Sequence, residues 1–147
     1  MNSGPVDFRE MNGCVCFAFR RAARALTQFY DRALRPHGLR ATQLPILWAA
    51  NAKGSVPLAA LAQELGLDRT TLLRNVRPLV RRRLVRVAPS SNSRRTEIWG
   101  TATGRALLKR LYPHWRRAQE QALQTLQGMD WSRGPDALTR MARKAAE

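Results

Sequence analysis

Arginine is the residue type whose spacing first suggests chemistry. Between Asp68 and Thr96 stand nine arginines, at positions 69, 74, 77, 81, 82, 83, 86, 94 and 95, against a single acid, Asp68. That net +8 is half of the charge of the whole chain, which is +16. A guanidinium carries five donors in a flat fork that matches two phosphate oxygens, or O6 and N7 of a guanine in a major groove. Thr70, Arg74, Arg77 and Arg81 recur at intervals of four, three and four, the spacing of one helix face. A stretch that served only solubility would mix signs, so the expected partner is a polyanion. The candidate DNA-binding set is Asp68, Arg69, Thr70, Thr71, Arg74, Asn75, Arg77, Arg81, Arg94 and Arg95. Within it Thr70, Thr71, Arg74 and Arg77 are expected in a major groove. Arg94 and Arg95 are expected at phosphates or a neighbouring minor groove.

Cys14 and Cys16 are the only cysteines. On a helix, residues two apart point about 200° from one another, so a bond between these two requires the helix start to unwind. Three readings follow: a thiol switch, a soft-metal site completed by a second chain, or a small hydrophobe beside Phe19 and Ala23. His37 and His114 are too few and too isolated for a zinc or catalytic site, and a structural or pocket-lining role is expected. Tyr30, Trp48, His114 and Trp115 are the candidates to line an apolar ligand cavity. No paired carboxylates, nucleophile elbow or glycine-rich phosphate loop appears, so the expectation is not an enzyme, with no cofactor and no metal.

Composition bounds the rest. The chain has 147 residues, 44% of them hydrophobic, enough for one compact core. Of the 26 basic residues all but three are arginine, a usage that a GC-rich coding sequence also favours, although such a bias would not cluster them. No apolar run approaches the ~18 residues of a membrane span, and the first dozen residues do not read as a signal peptide. The expectation is a soluble cytoplasmic protein.

The arginines need a scaffold, and periodicity supplies one. Residues 1–12 read as a flexible arm. From Gly13 to Leu34, the apolar positions Val15, Phe19, Ala22, Leu26, Phe29 and Ala33 form the seam of an amphipathic helix, ended by Pro36 and Gly38. A second helix is expected over residues 42–52 and a third over 57–65, closed by Gly66 in the left-handed cap conformation. Asp68 is then the N-cap of a fourth helix reaching residue 82 or 83. Its inward residues are Leu72, Val76, Leu79 and Val80, and Pro78 should kink or shorten it. Residues 84–87 and 96–99 read as a β-hairpin around a polar tip. A long helix over residues 101–126, bent at Pro113, and a short one over 136–146 follow.

With these residues in view, the chain resembles the MarR family of winged helix-turn-helix transcription regulators. RRAARALTQFYDRALRPHGLRATQLPIL is similar to that family's first two helices, LAQELGLDRTTLLRNVRPLVRRRLV to its DNA-reading unit, and TATGRALL to the exit from its wing. The resemblance spans about residues 14–146. It implies a homodimer built by terminal helices, and commonly a repressor released by a small phenolic ligand or an oxidant; some members sense peroxide through an N-terminal cysteine. Two positions depart from the pattern. Arg83 stands where the family usually has Gly at the close of the recognition helix. Ser93 stands where it usually has an Asp before the wing's arginine pair, which removes a partner for those arginines.

The expected fold is mainly α with a small β-wing. Its divisions are an arm (1–12), an N-terminal dimerisation helix (13–40), a winged helix-turn-helix lobe (41–100) and C-terminal dimerisation helices (101–147). The expected function is sequence-specific binding of double-stranded DNA at a pseudo-palindromic operator, as a repressor that a small aromatic or phenolic ligand releases. A redox or soft-metal sensor acting through Cys14 and Cys16 is the first alternative. A non-specific architectural DNA-binding protein is the second.

Overall fold

Two helices with one apolar stripe each, joined by the four residues 65–68, bury those stripes against a third helix and a small sheet, and the rest of the chain assembles around that choice. The computed structural model describes residues 13–90, 95–126 and 132–144. The expected arm, Ser93 and Arg94 of the hairpin tip, and the last residues of the final helix lie outside the described residues. The helices are α1 (Val15–Leu34), α2 (Leu44–Ala52), α3 (Leu58–Glu64), α4 (Arg69–Arg81), α5 (Ala102–Thr125) and α6 (Gly134–Lys144), with a 3-10 turn (Arg35–His37) after α1. The strands are β1 (Ser55–Pro57), β2 (Val85–Pro89) and β3 (Thr96–Gly100), in the antiparallel order β1-β3-β2.

This is a winged helix-turn-helix. Val56 pairs with Ile98 and Val87 pairs with Ile98 from the other side, so Ile98, fully buried, sits at the centre of the sheet. The sheet closes one end of a core built from Ile46 and Leu47 of α2, Leu61 of α3, Leu72, Val76 and Leu79 of α4, and Leu107 and Leu111 of α5. Each such leucine, taken from water to the interior, stabilises the fold by about 1.5–3 kcal/mol.

The two helices of the reading unit end alike. After α3, Gly66 takes φ +62, its N–H bonding to the Gln63 carbonyl and that of Leu67 to Ala62. After α4, Arg83 takes φ +56, its N–H bonding to Val80 and that of Leu84 to Leu79. Both are the paired 6→1 and 5→2 closure that satisfies orphan carbonyls at a helix end. At one of them the left-handed residue is the expected glycine, and at the other it is an arginine. Thr101 supports the second closure, its hydroxyl donating to the Arg83 and Leu84 carbonyls while accepting from the Gly104 N–H as the N-cap of α5. Gly104 itself allows α5 to lie on the lobe, since a Cβ there would stand 2.2 Å from the Leu84 carbonyl oxygen.

Several expectations change. Helix α4 passes through Pro78 and ends at Arg81, shorter than the expected reach to residue 82 or 83. The bond that proline removes is that to the Arg74 carbonyl, and both residues line an open cleft. Val80, expected inward, is exposed, because Leu72, Val76 and Leu79 already fill the narrow stripe that the lobe can cover. Helix α5 likewise runs through Pro113. No helix among the described residues is long and apolar enough to cross a membrane.

Candidate nucleic-acid interface

Helix α4 holds its arginines outward because its apolar stripe is fully used. With Leu72, Val76 and Leu79 seated in the core, Thr70, Arg74, Arg77 and Arg81 are left exposed on the opposite side. The front of the helix is fastened by Asp68, whose carboxylate accepts from the Thr71 N–H at 2.8 Å and from the Thr71 hydroxyl at 2.7 Å. These bonds, the hydroxyl's first, hold the Asp68 carboxyl below the usual carboxylate range. Asn75 is committed at both ends of its amide: it donates to the Thr71 carbonyl at 3.0 Å and accepts from the Thr42 hydroxyl at 2.9 Å. Of the candidate set, then, Asp68, Thr71 and Asn75 hold α4 in place, whereas Thr70, Arg74, Arg77 and Arg81 project from it.

Two open clefts flank the helix. One is lined by Gly38, Leu39, Arg40 and Gln43 from the α1–α2 junction and by Arg74, Asn75, Arg77, Pro78 and Arg81 from α4. The other lies between the start of α3 and the base of the wing, where Arg69, Gln63, Arg95 and Thr96 meet. Neither has a carboxylate in its lining. Arg86 turns away from both and stacks over Trp99, its guanidinium 5.1 Å from the ring centroid. A convex basic helix between two basic clefts fits the rim and floor of a duplex groove better than a small anion, which needs only one cradle.

The remaining candidates separate. Trp48 and Trp115 come together, ring centroids 6.3 Å apart, and with Leu44 and Pro45 line an almost wholly apolar cleft of ≈ 300 Å³. Tyr30 does not join them: its hydroxyl donates to Gln119, and burial pushes its phenol upward from the ordinary value. His114 lies outside that cleft too. It meets His37, centroids 4.8 Å apart, across the α1–α2 junction and α5, so the two histidines are not isolated, as their separation in sequence suggested. Burial lowers the His37 imidazole from its ordinary value, helped by His114 and Arg110, and its Nε2 is enclosed without a hydrogen-bond partner. Among the described residues no three potential ligands gather as a metal site would need. Cys14 and Cys16 are both free and exposed; Cys14 is the extended N-cap residue, just outside α1, and Cys16 lies in its first turn.

Two features carried no local sequence signal. Arg82 donates from both arms of its guanidinium to the carbonyls of His37, at 3.0 Å, and Gly38, clamping the end of α4 to the α1–α2 junction. Arg40 faces α4 across the first cleft. Neither follows from periodicity, since each joins residues more than thirty positions apart in the chain.

No family model matches the chain, and no curated protein does. Solved structures do. The chain superposes on the M. tuberculosis transcriptional regulator MosR in complex with DNA with a TM-score of 0.78 and 39% sequence identity, over 90% of this chain and 96% of that one. A transcriptional regulator of the MarR family from Rhodococcus sp. RHA1 shares the fold at 23% identity and TM-score 0.75, over 92% and 95% of the two chains. CouR from Rhodococcus jostii RHA1, bound to p-coumaroyl-CoA, shares it at 23% identity and TM-score 0.75, over 88% and 91%.

Proposed function

Because this chain belongs to the MarR family of DNA-binding transcriptional regulators, we propose that it acts as a homodimeric repressor on a pseudo-palindromic operator and leaves it when a small aromatic ligand binds. The observation that carries this reading is the outward row Thr70, Arg74, Arg77 and Arg81 on a helix whose other side is fully seated. Such a helix enters a major groove front first, with Thr70, Arg74 and Arg77 towards base edges. Arg69, Arg81, Arg94 and Arg95 then serve the phosphates, and Asp68, Thr71 and Asn75 keep the helix in register. The wing enters the flanking groove.

Dimerisation is supported by the apolar residues that α1 and α6 leave uncovered, Val15, Phe17, Phe19 and Leu26 from one and Leu138 and Met141 from the other. A two-fold pair would present two copies of α4 about 34 Å apart, one turn of duplex. The Trp48–Trp115 cleft is the proposed ligand seat, since a flat apolar molecule laid against the two indoles excludes water and gains ring contacts. MosR was solved with DNA and CouR with an aromatic thioester, which agrees with both halves of the reading.

Selection of bound duplexes from a random pool tests it. The expected product is an inverted repeat with half-sites about ten base pairs apart. Arg74→Ala or Arg77→Ala should then cost about 1–3 kcal/mol and relax base preference, while Arg95→Ala weakens all sequences alike. A pool that yields no preferred site would favour an architectural protein instead.

A second reading rests on the cysteines, since both are exposed and Cys14 lies outside the helix, so joining them disturbs only the first turn of α1. Oxidation of the two thiols by a peroxide, which takes their two electrons and two protons and leaves as water, would alter the start of the dimerisation helix. Operator release by peroxide that survives in the Cys14→Ala, Cys16→Ala double variant rules this out.

A further inference from the structure

We propose that Arg40, which lies outside the helix-turn-helix, is a ligand of the DNA backbone, and that it seats a phosphodiester group at the wall of the cleft that faces Arg74, Arg77 and Arg81 of α4. The inference deepens the DNA-binding reading above and rests on it.

The cleft has a volume of ≈ 690 Å³ and is lined by four exposed arginines from two parts of the chain, Arg40 before α2 and Arg74, Arg77 and Arg81 on α4. Among the described residues no carboxylate pairs with any of the four. Like charges that line one space without a counter-charge make its potential positive and favour the entry of an anion, the more so at low salt. A phosphodiester presents two unesterified oxygens at the geometry of a guanidinium fork. Its source follows from position. Arg74 and Arg77 are the residues assigned to the groove, so a duplex engaged by them carries its phosphate rim past the other wall of the same cleft, which is Arg40.

That wall is built to hold its place. Leu39 is buried in the core, and the buried Gln43 accepts the Arg40 N–H at 3.1 Å. The next N–H, of Ala41, donates to the Asp31 carboxylate of α1 at 2.6 Å. Thr42 bonds Asn75 of α4, and Arg82 of the α4 terminus clamps the carbonyls of His37 and Gly38. The junction is therefore tied to the dimerisation helix on one side and to the reading helix on the other. A side chain meant only for solvation needs no such support; one that must meet a phosphate in register with α4 does. Arg40 itself is exposed, so its replacement leaves these bonds in place.

The test is the salt dependence of duplex binding by the full chain, on a duplex recovered by selection and on a scrambled duplex of the same length. Arg40→Ala should weaken both by the same factor and reduce the slope of log K against log salt by about 0.9, one phosphate's share. Arg40→Lys should keep the slope. An unchanged slope in Arg40→Ala overturns the proposal, and a loss confined to the selected duplex overturns it by making Arg40 a base reader. A separate arm melts the protein in inorganic phosphate: stabilisation of the wild type but not of Arg40→Ala, with duplex slopes unchanged, would make the cleft a small-anion seat instead. If the wild type itself bound no duplex in a salt-dependent way, the DNA-binding reading would fall, and this inference with it. If the wild type did and Arg40→Ala ran parallel to it, only Arg40 would be lost.

Discussion

The lobe and the end helices use apolar residues in opposite ways. In the lobe, Leu47, Leu61, Leu72, Leu79 and Ile98 are each 0% exposed, whereas Val15 and Phe17 at the start of α1 are 63% exposed and Met141 of α6 is 44% exposed. Both regions have the same periodic pattern, apolar residues every three or four positions, and both formed helices from it. The difference is that a stripe in the lobe faces three other elements, while the far end of α1 extends beyond the cover that the described residues supply. An amphipathic helix with no cover in its own fold needs cover from elsewhere, and the lobe does not.

The sharpest way to break the contrast is to damage the finished side. Leu79→Ala should cost about 2–5 kcal/mol, read as a fall in the denaturant midpoint, because its neighbours cannot collapse into the space. A loss well under this range would mean that the lobe is looser than its burial implies. On the open side, Phe19→Ala should leave the lobe's helicity intact and weaken self-association by about 1.5–3 kcal/mol, seen as dissociation in sedimentation at higher concentration than the wild type. If the variant and the wild type sedimented alike, the uncovered face would not be the dimer contact.

The smallest effects separate the two closures of the reading unit. Arg83→Gly should stabilise by about 0.4–1 kcal/mol, since glycine accepts φ +56 without the clash that any Cβ meets there. Gly66→Ala should do the reverse by about 1 kcal/mol, although nothing stands within 4 Å of the new methyl, so that the whole loss is backbone strain. Melting curves of the two variants, moving in opposite directions from the wild type, are the expected outcome; movement in the same direction would contradict the shared geometry.

Much of the site was legible beforehand because its signals are short. Gly66 and Asp68 state a helix end and a helix start two positions apart, and both took the expected conformation. The spacing of Thr70, Arg74, Arg77 and Arg81 places them on one face whatever surrounds the helix. Other expectations failed where a neighbour decides. Val80 was read as inward from spacing alone, but the width of the buried stripe depends on what packs against it. The shortening expected at Pro78, by contrast, needs no neighbour, and α4 ends at Arg81, before the expected residue 82 or 83.

What the sequence by itself determined is therefore the set of local devices: the helix faces, the caps, the turn, the hairpin and the clustering of charge. These depend on dihedral preferences and on periods of two and 3.6 residues, which neighbouring residues carry. Only the tertiary structure decided which devices meet. His37 meets His114 edge to face, Tyr30 reaches Gln119 across 89 positions, Arg82 clamps the α1–α2 junction, and Arg40 lines a cleft with α4. Such meetings are set by how stripes of similar width choose among possible partners, a choice made by total burial rather than by any one residue. The charged helix could be read from one stretch of chain; the cleft that aligns it with a phosphate required the whole fold.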